Sequence, residues 1–84
     1  MKEIITLDRL STGERARLVD FALDEAMKHR LLDLGFVRGT LVECVGKSPM
    51  GDPSAYLVRG AVIAIRASDA RGLIAERGDD DGAY

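Results

Sequence analysis

Residues 24–39 read DEAMKHRLLDLGFVRG, and this stretch indicates one helix with clear start and end signals. Asp24 is a good N-cap, because its carboxylate can accept a backbone N–H of the first helical turn. The helix is therefore predicted to run from about Glu25 to Leu34. Three apolar residues, spaced i, i+4 and i+7, predict one face that packs on a sheet: Met27, Leu31 and Leu34.

Gly35 is predicted to end the helix in a left-handed conformation, which a residue without Cβ adopts at little cost. Phe36 then stands where a Schellman motif places a residue against the last helical turn, so contact with Leu31 is expected. Gly39 separates this helix end from the next β-rich segment.

Segments rich in β-branched and apolar residues surround the helix on both sides, and they predict short strands. These segments are Glu14 to Phe21, Thr40 to Val45, Ser54 to Arg59, Val62 to Arg66 and Leu73 to Glu76. Tyr56, Val58, Ile63 and Ile65 are expected to face inward. Thr6 is predicted to start a short turn before Leu10, and Ser68 to cap a helical turn over Asp69 to Gly72. Several short strands at close spacing favour a small barrel or sandwich.

Composition limits the chain to one small core, since it has 84 residues, of which 46% are hydrophobic and 31% charged. Residues 1–77 are predicted to form the domain, and 78–84 a disordered acidic tail. The net charge is -2. Without Asp79, Asp80 and Asp81 there are 11 acids against 12 bases, which lacks the concentrated positive charge of a nucleic-acid binder.

The amino terminus and the single cysteine, Cys44, both favour a cytoplasmic protein. A lone cysteine cannot form an internal disulfide, and Met1 to Leu10 lacks the apolar run of a signal peptide. The longest apolar runs, such as Ala61 to Ile65, are far shorter than the roughly 20 residues of a membrane-spanning helix. Any membrane association is expected to pass through a partner.

Candidate catalytic and metal-binding groups are few. His29 and Cys44 are single and lie on different predicted elements, whereas a transition-metal site needs several converging ligands. No acid pairs obviously with a histidine as a catalytic base, and residues 35–39 lack the Gly-Lys-Ser/Thr ending of a phosphate loop. The expectation is a protein that is not an enzyme and has no catalytic residues, cofactor or metal site.

Three segments in order resemble the FeoA family, the small cytoplasmic partners of the ferrous-iron transporter FeoB. They are residues 30–39 (RLLDLGFVRG), 48–53 (SPMGDP) and 64–70 (AIRASDA). The ordered combination is similar to the family pattern over roughly residues 5–77. The positions that carry the motif are Arg30, Leu31, Leu34, Gly35, Gly39, Pro49, Gly51, Asp52, Pro53 and Arg66.

The resemblance implies a mainly β, SH3-like barrel of five to six strands with one inserted helix. It also implies an accessory or regulatory role in ferrous-iron uptake through protein-protein interaction with a FeoB-type GTPase transporter. Self-association is possible. The alternative is an SH3-like regulatory module related to the C-terminal domain of iron-dependent repressors.

Four apolar residues near the helix end form a candidate patch for the FeoB-type partner: Leu32, Phe36, Val37 and Met50. Leu32 lies about 100° around the helix from Leu31, so the two need not be buried together. The alternative is that these residues seal one end of the barrel. Arg30 and Arg66 are expected to pair with Asp33, Asp52 or Asp69, or else to meet an acidic surface of the partner. Asp52 is expected to bond backbone N–H groups of its own turn.

Overall fold

The computed structural model describes residues 2–78, which form six strands, two α-helices and one 3₁₀ turn. The strands are β1 (Lys2–Thr6), β2 (Arg15–Phe21), β3 (Leu41–Lys47), β4 (Ser54–Val58), β5 (Ala61–Ile65) and β6 (Leu73–Gly78). The helices are α1 (Glu25–Asp33) and α2 (Ala67–Ala70), and the 3₁₀ turn is Leu7–Arg9. The mainly β class is confirmed. Of the predicted acidic tail, residues 79–84 lie outside the described range, and Gly78 belongs to β6.

The six strands form one antiparallel sheet in the order β1-β6-β2-β3-β4-β5. Within residues 2–78, β1 and β5 are both edges, so the sheet is not closed into the predicted barrel. β1 was not predicted as a strand, and it pairs with β6 from Lys2 opposite Gly78 to Thr6 opposite Ile74. Its polar and apolar residues do not alternate, which explains why the pattern gave no strand signal.

The start and end of α1 follow the local signals. Asp24 accepts a hydrogen bond from the backbone N–H of Met27 at 2.8 Å. At the other end, Gly35 donates to the carbonyl of Leu32 at 3.0 Å, and Phe36 donates to that of Leu31 at 2.9 Å. These two bonds, with φ of +109° at Gly35, make a Schellman motif. The predicted helix cap is therefore confirmed.

The core contradicts two burial predictions near this cap. Phe36 is fully buried, whereas Leu34 is 47% exposed. The reason is that the chain reverses at Gly35, so Phe36 enters the core instead of Leu34. Leu31 is buried as predicted, and Met27 packs against the core while remaining partly exposed. The core residues are Ile5, Leu7, Leu10, Ala16, Leu18, Leu31, Phe36, Val42, Cys44, Tyr56, Val58, Ile65, Ala70, Leu73 and Ala75.

Asp52 joins the β3–β4 turn to α2, and this corrects its predicted role. Its carboxylate accepts a hydrogen bond from the backbone N–H of Ala67 at 2.8 Å, rather than bonding N–H groups of its own turn. Arg66 is the N-cap of α2, and Ser68 lies inside the helix. The carboxylate of Asp52 thus satisfies the backbone N–H of the first residue of α2, so the turn is tied to the end of β5.

Candidate functional site

A groove lies between α1 and the edge strand β5, with a cavity volume of about 300 Å³. Its apolar lining comes from Met27, Leu31 and Leu34 on the helix and from Ile63, Ala64 and Ile65 on the strand. Arg30, Arg66 and Asp69 complete the lining. The groove therefore combines an apolar centre with charged side chains.

The groove exists because the apolar stripe of α1 is only partly covered. Leu31 is 3% exposed, but Leu34 one turn later is 47% exposed. On the facing strand, Ile65 is buried and Ile63 only partly so. The helical spacing predicted that the whole apolar stripe packs on the core. Leu31 does so, whereas Leu34 lines the open groove.

Arg30 and Arg66 are exposed, and neither makes an ion pair or a side-chain hydrogen bond within residues 2–78. The predicted pairing with Asp33, Asp52 or Asp69 is therefore wrong. Asp52 instead bonds the backbone of Ala67. Because two guanidinium groups and one carboxylate line it, the groove has a net positive charge at neutral pH.

The patch predicted from sequence is only partly exposed. Phe36 cannot belong to it, because its side chain is fully buried. Leu32 and Val37 are half-buried, and Met50 is 90% exposed on the β3–β4 turn. The residues that sequence reasoning missed are Leu34, Ile63 and Ala64. The available signal was the uncharged run 61–65, which is unusual for an edge strand.

Elsewhere on the surface, Arg38 lies beside Phe21 and donates to the carboxylate of Asp20 at 2.8 Å. That hydrogen bond, together with one from the backbone N–H of Phe21, lowers the pKa of Asp20 below its ordinary value. In the core, burial raises the pKa of Tyr56 to about 12, and its hydroxyl donates to the carbonyl of Leu7 at 3.3 Å. Asp20 thus stays ionised and Tyr56 stays neutral at physiological pH.

The candidate metal ligands do not converge in the part of the chain that the structure describes. His29 lies 3.5 Å from the carboxylate of Glu25 on the exposed face of α1. Cys44 is buried in β3 with its sulfur 3.9 Å from the carbonyl oxygen of Gly46. Across residues 2–78 no three His, Cys, Asp or Glu side chains come together, so these residues do not fit a built metal site.

None of the helices in 2–78 has the length and apolar character needed to cross a membrane.

Comparison with known proteins identifies the family and the solved structures that this fold is similar to. The FeoA domain model matches residues 5–77. The solution structure of FeoA from Chlorobium tepidum is 32% identical, with a TM-score of 0.82, and the match covers 93% of this chain and 75% of that one. The crystal structure of Stenotrophomonas maltophilia FeoA complexed with zinc, described as an SH3 domain protein, is 30% identical, with a TM-score of 0.71. That match covers 87% of this chain and 95% of the other.

One curated relative is a fusion of Fe(2+) transport protein A with the Fe(2+) transporter FeoB, from Porphyromonas gingivalis. It is 31% identical over 64 residues, which are 76% of this chain but only 8% of the relative. A manganese-dependent transcriptional repressor is also similar, with a TM-score of 0.78, but at 9% identity it shows the fold alone. Since the FeoA domain model spans nearly the whole chain, and the two FeoA structures above are 32% and 30% identical, this chain belongs to the FeoA family.

Proposed function

We propose that this protein is a cytoplasmic accessory protein of ferrous-iron uptake and that it binds a FeoB-type transporter through the groove between α1 and β5. Family membership supports the transport role. The fused relative supports the choice of partner, because a similar domain there is part of the same chain as a FeoB transporter. The domain acts by binding rather than by catalysis, and ferrous iron is the cargo of the transporter.

The composition of the groove is the observation that supports it as the binding surface. Leu34 and Ile63 offer apolar area in it, while Arg30 and Arg66 are exposed and have no ion-pair partner in the part of the chain that the structure describes. Protein interfaces commonly have an apolar core with a polar rim, and arginine is enriched in them. A volume of about 300 Å³ is at the lower end of small-molecule pockets, so it suits inserted side chains of another protein.

A binding assay with three matched variants tests this surface. The purified cytoplasmic domain of the FeoB-type transporter from the same cell is titrated into the unmodified protein and into each variant, and binding is measured by calorimetry. Leu34→Glu places a carboxylate in the groove and is expected to weaken binding about tenfold or more, as loss of an apolar anchor does. Thr12→Glu, on an exposed loop, is the matched control and should bind like the unmodified protein.

The third variant, Met50→Glu, distinguishes the groove from the patch predicted by sequence. Met50 is far more exposed than Leu34, so its substitution should leave the fold intact. Normal binding by Met50→Glu together with weak binding by Leu34→Glu supports the groove. The reverse result moves the contact to the surface of Leu32, Val37 and Met50, and no binding by the unmodified protein refutes the proposed partner. Circular dichroism of each variant confirms that the comparison is between folded proteins.

A further inference from the structure

The outer edge of β5 lacks the features that usually protect an edge strand. Its sequence, Ala61 to Ile65, contains no charge and no proline, and its pairing with β4 shows no register shift. The opposite edge, β1, begins with Lys2 and Glu3. Natural sheets commonly use charges, prolines or bulges to stop an edge from pairing with another chain. β5 is therefore the edge that is open to an additional strand.

The pairing register identifies which backbone groups point outward. Arg59 and Gly60 form a two-residue turn with positive φ at both positions, so Val58 and Ala61 make the hydrogen-bonded pair that closes it. Hydrogen-bonded pairs alternate along an antiparallel ladder. Ala61, Ile63 and Ile65 therefore bond β4, while the N–H and C=O groups of Val62 and Ala64 point away from the sheet.

The groove and this open edge meet. Successive side chains of a strand point to opposite faces, yet the groove is lined by three consecutive residues, Ile63, Ala64 and Ile65. A groove that touches all three meets the strand at its backbone edge. Ala64, whose N–H and C=O point away from β4, thus lines the groove together with Leu34 of the helix wall.

From this geometry we infer that the partner binds by adding an extended acidic segment to β5 as a seventh strand. The inference rests on the proposed function and specifies how the groove is used. Hydrogen bonds at Val62 and Ala64 would hold the added backbone, and its apolar side chains would enter the groove. Arg66 at the end of β5 and Arg30 across the groove would receive its carboxylates, because neither has an ion-pair partner within residues 2–78.

Charge also selects this occupant over a second copy of the chain. In an antiparallel β5–β5 pairing through Val62 and Ala64, Arg66 of one copy comes close to Arg59 of the other. Like charges that face each other across an interface oppose association. An acidic segment meets the same arginines favourably, so charge complementarity favours a partner protein.

Amide hydrogen exchange provides the direct test. Exchange is measured by NMR for the free protein and for its complex with the cytoplasmic domain of the FeoB-type transporter. The amides of Val62 and Ala64 should exchange quickly in the free protein and become at least about tenfold slower in the complex, since a new strand bonds them. The amide of Ile63, already bonded to β4, is the internal control and should change little.

Two pairs of variants test the backbone and the charges separately. Ala64→Pro removes an outward N–H without removing a bond to β4, and it should abolish binding, whereas Ala64→Ser keeps the N–H and should bind normally. Arg66→Glu should weaken binding about tenfold more than Arg66→Gln does. The affinity of Arg66→Glu should also depend less on salt concentration than that of the unmodified protein. If Ala64→Pro does not fold, exchange in the unmodified protein decides.

The outcomes separate the inference from the proposed function. Binding without protection of Val62 and Ala64 refutes strand addition and leaves the proposed partner standing. Protection that appears in the free protein as its concentration rises refutes the acidic partner in favour of a second copy. No binding at all refutes both proposals.

Discussion

Gly72 supports a sharp prediction about stability, because there is no space for a side chain at this position. A Cβ built there would lie 2.3 Å from Cδ2 of Leu23 and 2.8 Å from the carbonyl oxygen of Ala22. Ordinary carbon-carbon contacts are about 3.5 to 4.0 Å, so Gly72→Ala requires the Leu23 side chain to move by more than 1 Å and also crowds the backbone carbonyl of Ala22. Leu23 is only half-buried and can rotate away in part.

The backbone of Ala22 cannot retreat so easily. Its N–H donates to the carbonyl of Gly72 at 2.7 Å, which ties the two segments together at the point of the clash. Overpacking of this kind costs about 1–3 kcal/mol. In a domain of this size each kcal/mol lowers Tm by about 4–8 °C, so a cost of about 2 kcal/mol predicts a loss of roughly 8–16 °C.

Thermal unfolding of Gly72→Ala is compared with that of two other glycine variants. Gly46→Ala is the matched control, because a Cβ at Gly46 meets nothing within 4 Å and the residue lies in β3. Its Tm should stay equal or rise slightly. Gly35→Ala should lose about 1 kcal/mol or more, since Ala is strained at positive φ and its Cβ would lie 3.3 Å from Cδ of Arg59. A Tm for Gly72→Ala equal to that of Gly46→Ala would refute the steric reasoning.

Three further predictions concern the core, the helix and metal. The pKa of Tyr56 is raised from 10.0 to about 12, so the stability that its neutral hydroxyl gives the fold is fully present below pH 10 and is lost as pH rises through 12. Denaturant unfolding measured near pH 10 and near pH 12 should therefore show a fall in the free energy of unfolding that Tyr56→Phe does not show. Leu31→Glu should unfold the domain by burying a carboxylate, whereas Leu32→Glu, at a half-buried position that does not line the groove, should keep an unchanged circular dichroism spectrum and bind the transporter like the unmodified protein. Anaerobic calorimetry should detect no stoichiometric ferrous-iron binding, and a tight isotherm lost on changing His29 or Cys44 would contradict this.

Local signals predicted the helix well, because its two ends depend on neighbouring residues. Asp24 needs only the N–H of Met27, and Gly35 needs only carbonyls of the last helical turn. The five predicted strands also lie where the structure places β2 to β6, with boundaries shifted by no more than two residues. Short-range chemistry is enough to define such elements.

Long-range relations were not visible in the sequence. β1 becomes a strand by pairing with β6 at the other end of the chain. Asp52 bonds Ala67, which is 15 residues away, because the fold brings the turn to the start of α2. Helical spacing placed Leu34 on the apolar stripe, but it could not tell how far along the stripe the sheet would cover it. Each of these three wrong predictions concerns the tertiary contacts that a segment makes.

The groove depends on these same long-range relations. Its two walls are α1 and β5, and near one end of the groove the side chain of Arg59, in the β4–β5 turn, lies close to Gly35. Gly35 has no Cβ, so this close contact is possible without steric overlap. Near this end Phe36 fills the core, so Leu34 is left on the wall of the groove. A closed barrel would have paired β5 on both sides and removed its free edge. Because residues 2–78 leave the sheet open there, the apolar wall of α1 and the outer backbone edge of β5 face the same space.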